Sequence, residues 1–271
     1  MLLALLIRRA APAACLTMTC ALLLLSGSAA ADSPDVVLTR RIFLPALYRP
    51  AAAPISVNQY EVIPVPPPRT DRPAAEHGDL NLALRGFSAT SAELRFIDYG
   101  GSTDGNAPQL PGVFADRRTP SFVSVHRVND WNWSCGGAGC RGKPLSSPAV
   151  TLLGLGTRAG EPLAAPSRGP EIYGGGYKTL VLYADETRIT LKYTREDSVV
   201  SGYTVHLEGL TVDPNLLSRY RAANSAGRGS LPALRDGQPL GAASGSQVLV
   251  AVRDCGTFLD PRSRNDWWMG R

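Results

Sequence analysis

Histidine is scarce in this chain: His77, His126 and His206 are the only ones in 271 residues. Cysteine is as scarce in any folded domain, because Cys15 and Cys20 fall in an apolar leader and only Cys135, Cys140 and Cys255 follow it. So few thiols and imidazoles argue against a zinc knuckle, which gathers four such ligands at short spacing. After residue 31 no apolar run approaches the ~18 residues of a membrane-spanning helix, so an integral membrane protein is not expected. The formal net charge is +5, but no Lys/Arg cluster accompanies it, and nucleic acid is not an expected partner. The chain also lacks a nucleophile elbow, a phosphate-binding loop and an internal repeat.

What is present begins with the leader. Arg8 and Arg9 supply a positive flank, Ala10 to Leu25 is apolar, and Ala29-Ala30-Ala31 precedes Asp32. That order reads as a secretory signal over residues 1–31, cut after Ala31, with an uncut anchor as the alternative. No cysteine closely follows the apolar run, so a lipid anchor is not expected. The expected location is secreted or on the extracytoplasmic cell surface, where disulfides persist. Cys135 and Cys140 bracket a flexible Gly-Gly-Ala-Gly loop and are expected to pair. Cys255 is then left over and reads as a small buried residue.

Residues 32–75 hold Pro34, Pro45, Pro50, Pro54, Pro64, Pro66, Pro67, Pro68 and Pro73. Proline fixes φ and removes a donor, so an extended tether is expected, with one edge strand around Val57 to Ile63. Residues 76–271 read as a β domain, and hydrophobic residues, 44% of the chain, suffice for a core. Leu80, Leu82 and Leu84 alternate with Asn81, Ala83 and Arg85, which predicts a half-buried strand. Further strands are expected at Ala92–Tyr99, Phe122–Val128, Val150–Leu155, Leu180–Ala184, Arg188–Thr194, Gly202–Leu207 and Gln247–Arg253. Asp104-Gly105-Asn106 reads as a turn, as does Gly174 to Gly176. One helix is expected from Pro214 to about Ala226, capped by Asp213 and ended by Gly227. The predicted fold class is therefore mainly β, an antiparallel sandwich or barrel with one short helix. Tryptophans cluster at Trp131/Trp133 and Trp267/Trp268, and the second pair is expected to pack the domain shut.

The candidate chemistry rests on few residues. His77 borders the tether and reads as solvated. His126 and Asp130 are spaced H-x-x-x-D, which places an imidazole and a carboxylate on one face of a strand. Such a pair can hold zinc at roughly 2.0–2.2 Å from each donor. His206 alternates with Val205 and Leu207 and faces away from them.

From His126 onward the order of motifs resembles the lysostaphin-type zinc endopeptidases, which cut cell-wall peptidoglycan. The H-x-x-x-D pair is followed by Gly160-Glu161-Pro162-Leu163, then by Gly174-Gly175-Gly176-Tyr177. Next come Tyr203 to Leu207, similar to a tyrosine-x-histidine-leucine strand with one residue extra, and Gly237-Gln238-Pro239-Leu240-Gly241. The end is Gln247 to Gly256 and then Asp260-Pro261. The resemblance spans about residues 120–271. It implies a lysostaphin-type β sandwich, zinc held by His126 and Asp130, and His206 assisting catalysis. It departs from the family at one position of consequence. Gln247 and Leu249 stand where the family carries His-x-His, and a leucine cannot donate to a metal. The resemblance thus implies weak zinc at most, His126, Asp130 and His206 gathered on one concave face beside Leu249, and a domain that binds peptidoglycan or an envelope protein without cutting it. Two alternatives stay open: an active zinc-dependent peptidoglycan endopeptidase with an atypical ligand set, and a structural or carbohydrate-binding surface protein. N-terminal sequencing of secreted material is expected to begin at Asp32; a full-length, membrane-retained chain would refute the leader assignment.

Overall fold

The computed structural model describes residues 56–100 and 103–269. The leader and the first part of the proline-rich stretch lie outside the described residues, as do the readings made on them.

The strands in chain order are β1 (Glu61–Pro64), β2 (Phe87–Ala89), β3 (Phe122–Asn132), β4 (Cys140–Pro144), β5 (Leu152–Gly156), β6 (Pro162–Ala164) and β7 (Tyr177–Ala184). They continue with β8 (Arg188–Lys192), β9 (Tyr203–Glu208), β10 (Leu210–Val212), β11 (Ser230–Arg235), β12 (Pro239–Ala243), β13 (Gln247–Asp254) and β14 (Thr257–Leu259). The helices are α1 (Leu82–Arg85), α2 (Pro214–Ser225) and α3 (Arg264–Trp267). The large sheet runs in the order β1-β11-β7-β8-β9-β13-β5-β3-β2, with β14 beside β13 and β4 beside β3. A three-stranded sheet, β10-β12-β6, accompanies it. All strand pairs are antiparallel, so the mainly β, antiparallel expectation holds.

The period-two pattern decides which face each strand buries. Leu191, Leu207, Val250 and Leu153 point into one continuous core, where Leu163, Leu210 and Leu240 of the small sheet meet them. Each such side chain contributes about 1.5–3 kcal/mol relative to exposure. The two Gly-x-Pro-Leu segments end up as neighbours, because β6 and β12 pair with Gly241 opposite Leu163. At the far end Trp267 and Trp268 are buried and close the core, as expected. The helix α2 matches its sequence signals: Asp213 accepts bonds from the Asn215 and Leu216 amides, and Gly227 follows at φ 84°. The Cys135–Cys140 disulfide is formed.

Several expectations are corrected. Residues 56–75 are not free tether, since Tyr60, Ile63, Val65 and Ala74 are buried, although the expected edge strand is present as β1 on β11. Proline bars a sheet interior, but it does not bar apolar residues between prolines from docking on an edge. The alternating leucines do not form a strand. Asn81 caps α1 by accepting from the Ala83 amide, and Gly86 at φ 61° ends it. Alternation over so few residues fits a short helical turn as well as a strand. Ala92–Tyr99 makes only an isolated bridge, Ile97 with Ser263. His77 is half-buried against Trp133, ring centroids 4.9 Å apart, and burial lowers its pKa. Cys255 is exposed, because it forms the β13–β14 turn at φ 45° with Gly256 at φ 82°.

Beneath α2 lies a buried ion pair, Arg228 to Asp197 at 2.5 Å, with the Asp197 side chain fully covered. Removing one partner strands the other charge. Asp197→Ala is expected to cost about 3–5 kcal/mol in urea unfolding; a loss below ~1 kcal/mol, the range of a surface pair, would show that this pair does not brace the fold.

Candidate functional site

The central strands of the large sheet turn one face to the core and carry the chemically distinctive residues on the other. Val205 and Leu207 are buried in the core, so Thr204, His206 and Glu208 lie opposite. The same alternation on β13 puts Gln247, Leu249, Ala251 and Arg253 on that second face, and on β3 it puts Ser124, His126, Val128 and Asp130 there.

A strap formed by residues 77–86 covers one end of this face. Asp79 meets Arg85 at 2.5 Å and Arg253 at 2.9 Å. Arg85 also donates to the Gly78 carbonyl at 2.7 Å and the Asn129 carbonyl at 3.2 Å. Burial alone would raise the Asp79 pKa, but Arg253 and Arg85 outweigh it and hold the carboxyl below its ordinary range. Burial lowers Arg253 to about 10. His206 lies under this strap. Thr190 Oγ1 donates to the Leu80 carbonyl at 2.6 Å and sits 3.0 Å from His206 Nδ1. With the threonine proton so committed, His206 Nδ1 must be the donor, which leaves Nε2 bare. That Nε2 is buried and has no partner among the described residues.

The other end of the face is more open. His126 Nε2 lies 3.0 Å from Ser124 Oγ, which donates to Gln247 Oε1 at 2.7 Å. Gly154 makes room for this group, since a Cβ there would lie 2.5 Å from Gln247 Oε1 and closer still to Ser124 Oγ. A register shift in β3 between Phe122 and Ser124 turns Val123 toward an adjoining groove. The groove has a volume of about 830 Å³ and runs between Ser121–Val123 and Thr157–Glu161. Arg118 spans it, paired with Glu161 at 2.6 Å and stacked on Phe114.

Comparison with protein-family models, with curated proteins and with solved structures returns no match.

His126, Asp130 and His206 share a face, yet they do not converge. His206 pairs with Ala251 on β13, and His126 pairs with Leu152 on β5, so β13 and β5 stand between β9 and β3. Three strand spacings amount to roughly 14 Å. Within β3, four residues of rise set His126 and Asp130 roughly 13 Å apart. A common face is not a common centre, and donors to one zinc must reach within ~2.2 Å of it. Among the described residues no three His, Cys, Asp or Glu side chains gather as a metal site would require. Asp130 is mostly exposed and lines a separate pocket of about 240 Å³ with Arg85, Arg253 and Phe258. Leu249 lies opposite Gly154 on one side and Glu208 on the other, rather than beside His126. Glu208 is held by Arg188 at 3.0 Å.

The Asp79–Arg85–Arg253 cluster was not anticipated, although one signal pointed to it. Val248, Val250 and Val252 fix the core face of β13, which consigns Arg253 to the other face mid-sheet, where a charge needs a partner. The Ser124–Gln247 contact had no comparable signal, because it joins residues of unremarkable type across the whole domain.

The burial of His206 has a consequence for pH. Burial, then Arg253 and Arg85, push its pKa far below the ordinary value, while Asp79 pulls weakly the other way. As pH falls below about 6.5, the unfolded chain takes a proton at residue 206 that the folded chain refuses. Stability therefore falls with acidification, by up to ~1.4 kcal/mol per pH unit from this residue. Urea midpoints between pH 7.5 and 5 are expected to show this slope, and His206→Gln is expected to flatten it. An unchanged slope in that variant would refute the assignment.

Proposed function

We propose that the protein is an exported β domain of lysostaphin-type layout that binds the cell envelope, through peptidoglycan or an envelope protein, without hydrolysing it. The observation that carries this reading is the chemistry at the middle of the second face. Leu152, Gly154, Leu249 and Ala251 occupy the central positions between the two imidazoles, and none offers a donor to a metal. Hydrolysis assisted by zinc needs three protein ligands and an activated water at one point. An open groove adjoins this face, and the domain carries a disulfide elsewhere; both suit a binding module in an oxidising compartment.

The pairing of β6 with β12 supports the layout, since the two Gly-x-Pro-Leu motifs of the resemblance meet as strands of one small sheet. Tyr203–Glu208 runs beside Gln247–Asp254, which is in keeping with the layout that the resemblance implies.

The test uses mature protein and purified cell-wall sacculi. Co-sedimentation with the sacculi is expected, with no release of soluble muropeptides and no stoichiometric zinc by elemental analysis. Zinc at one equivalent together with chelator-sensitive muropeptide release would establish the active endopeptidase instead. Failure to sediment with sacculi or with intact envelope would overturn the binding function.

A further inference from the structure

A second concavity lies away from the groove, where β14 and α3 meet the segment before residue 100. Its volume is about 700 Å³, within the roughly 300–1,000 Å³ of small-molecule sites. Its floor is apolar: Phe258 and Trp267 are almost fully buried there, with Pro148 and Leu259 beside them. Its rim is polar. Ser147 and Thr257 present exposed hydroxyls. Asp266 accepts a bond from Ser263 at 2.6 Å on one oxygen, and its other oxygen has no partner among the described residues.

The most telling wall is Tyr99. It is 61% exposed, an unusual place for a large aromatic ring, yet it is held firmly. Its hydroxyl donates to Asp260 at 3.2 Å, and Asp260 is itself locked by Arg262 at 2.8 Å. The chain just before it is stitched to the C-terminal segment. Ile97 donates to the Arg262 carbonyl at 3.1 Å, Arg264 donates to the Ile97 carbonyl at 2.9 Å, and Asn265 donates to Asp98 at 2.7 Å. A ring fixed in this way loses little further freedom on binding.

We infer that this concavity binds a neutral N-acetylated sugar of a glycan chain, with Tyr99 as the stacking platform. A pyranose has an apolar face of C–H groups and an edge of hydroxyls, which matches an aromatic wall above a rim of hydroxyl and carboxylate. The acetamido methyl suits the apolar floor. The lining includes no Lys or Arg, while Asp266 carries a carboxylate, so phosphorylated or acidic ligands are disfavoured. The inference deepens the envelope-binding reading by naming the part of the polymer recognised.

The experiment titrates the mature protein with the trimer of N-acetylglucosamine by calorimetry, alongside the sacculus assay. Saturable binding is expected. Tyr99→Ala is expected to weaken it by ~10-fold or more, Tyr99→Phe to retain most of it, and Asp266→Asn to weaken it. Tyr99 is largely exposed, and unchanged thermal unfolding of the variants confirms that the fold is intact. Absence of saturable trimer binding, or binding that Tyr99→Ala leaves unaltered, overturns the inference. Sacculus binding without trimer binding would sink the sugar site and leave the envelope reading standing. Trimer binding without sacculus binding would do the reverse.

Discussion

The Asp79 carboxylate is the point on which the second face of the sheet depends. Arg253 sits on a central strand with apolar neighbours, and Arg85 projects from a short strap that also docks through the buried Leu80 and Leu82. One carboxylate shared between two guanidiniums makes the burial of all three tolerable. Through it the strap covers His206, places Leu82 over Leu152 and Ala251, and brings β2 alongside β3. The ring of Phe258 lies beneath both arginines, 4.5 Å from Arg253 and 5.4 Å from Arg85, and adds cation–π attraction.

This arrangement divides the face in two. The half beneath the strap is buried, and its histidine is covered, with Nδ1 beside Thr190 and Nε2 without a partner among the described residues. The half beyond it is reachable, with the Ser124–Gln247 contact and the groove at its border. A domain built this way keeps a reachable groove, but its imidazoles are dispersed along the sheet rather than gathered at one point.

Much of the fold was legible because β proteins announce buried strands through period two. The strands expected at Leu180–Ala184, Arg188–Thr194, Gly202–Leu207 and Gln247–Arg253 are found within a residue or two as β7, β8, β9 and β13, apart from an earlier start to β7. The helix after Asp213 was legible for a local reason, since cap, proline and glycine sit within its own span. The disulfide was legible from a flexible loop of four. The site was harder. Spacing along β3 shows that His126 and Asp130 share a face, but a strand rises about 3.3 Å per residue, so that face is long. Whether His206 lies near them depends on which strands intervene, and strand order is a property of the whole chain. Leu80 to Leu84 misled for the opposite reason: Asn81 starts a helical turn and Gly86 stops it, signals that a simple alternation conceals.

The pairing of β1 with β11 sets Glu61 opposite Ala233, and the strap finds its partner in Arg253. Early segments of the described chain thus dock on strands far later in sequence. Such distant pairings impose a large loop-closure cost before any reward arrives, which slows folding. During synthesis the N-terminal segment has nothing to close upon, and Tyr60, Ile63 and Leu80 remain solvated until β11 and β13 exist. Closure of both faces of the sheet therefore waits on β11 and β13, which follow most of the other strands in sequence.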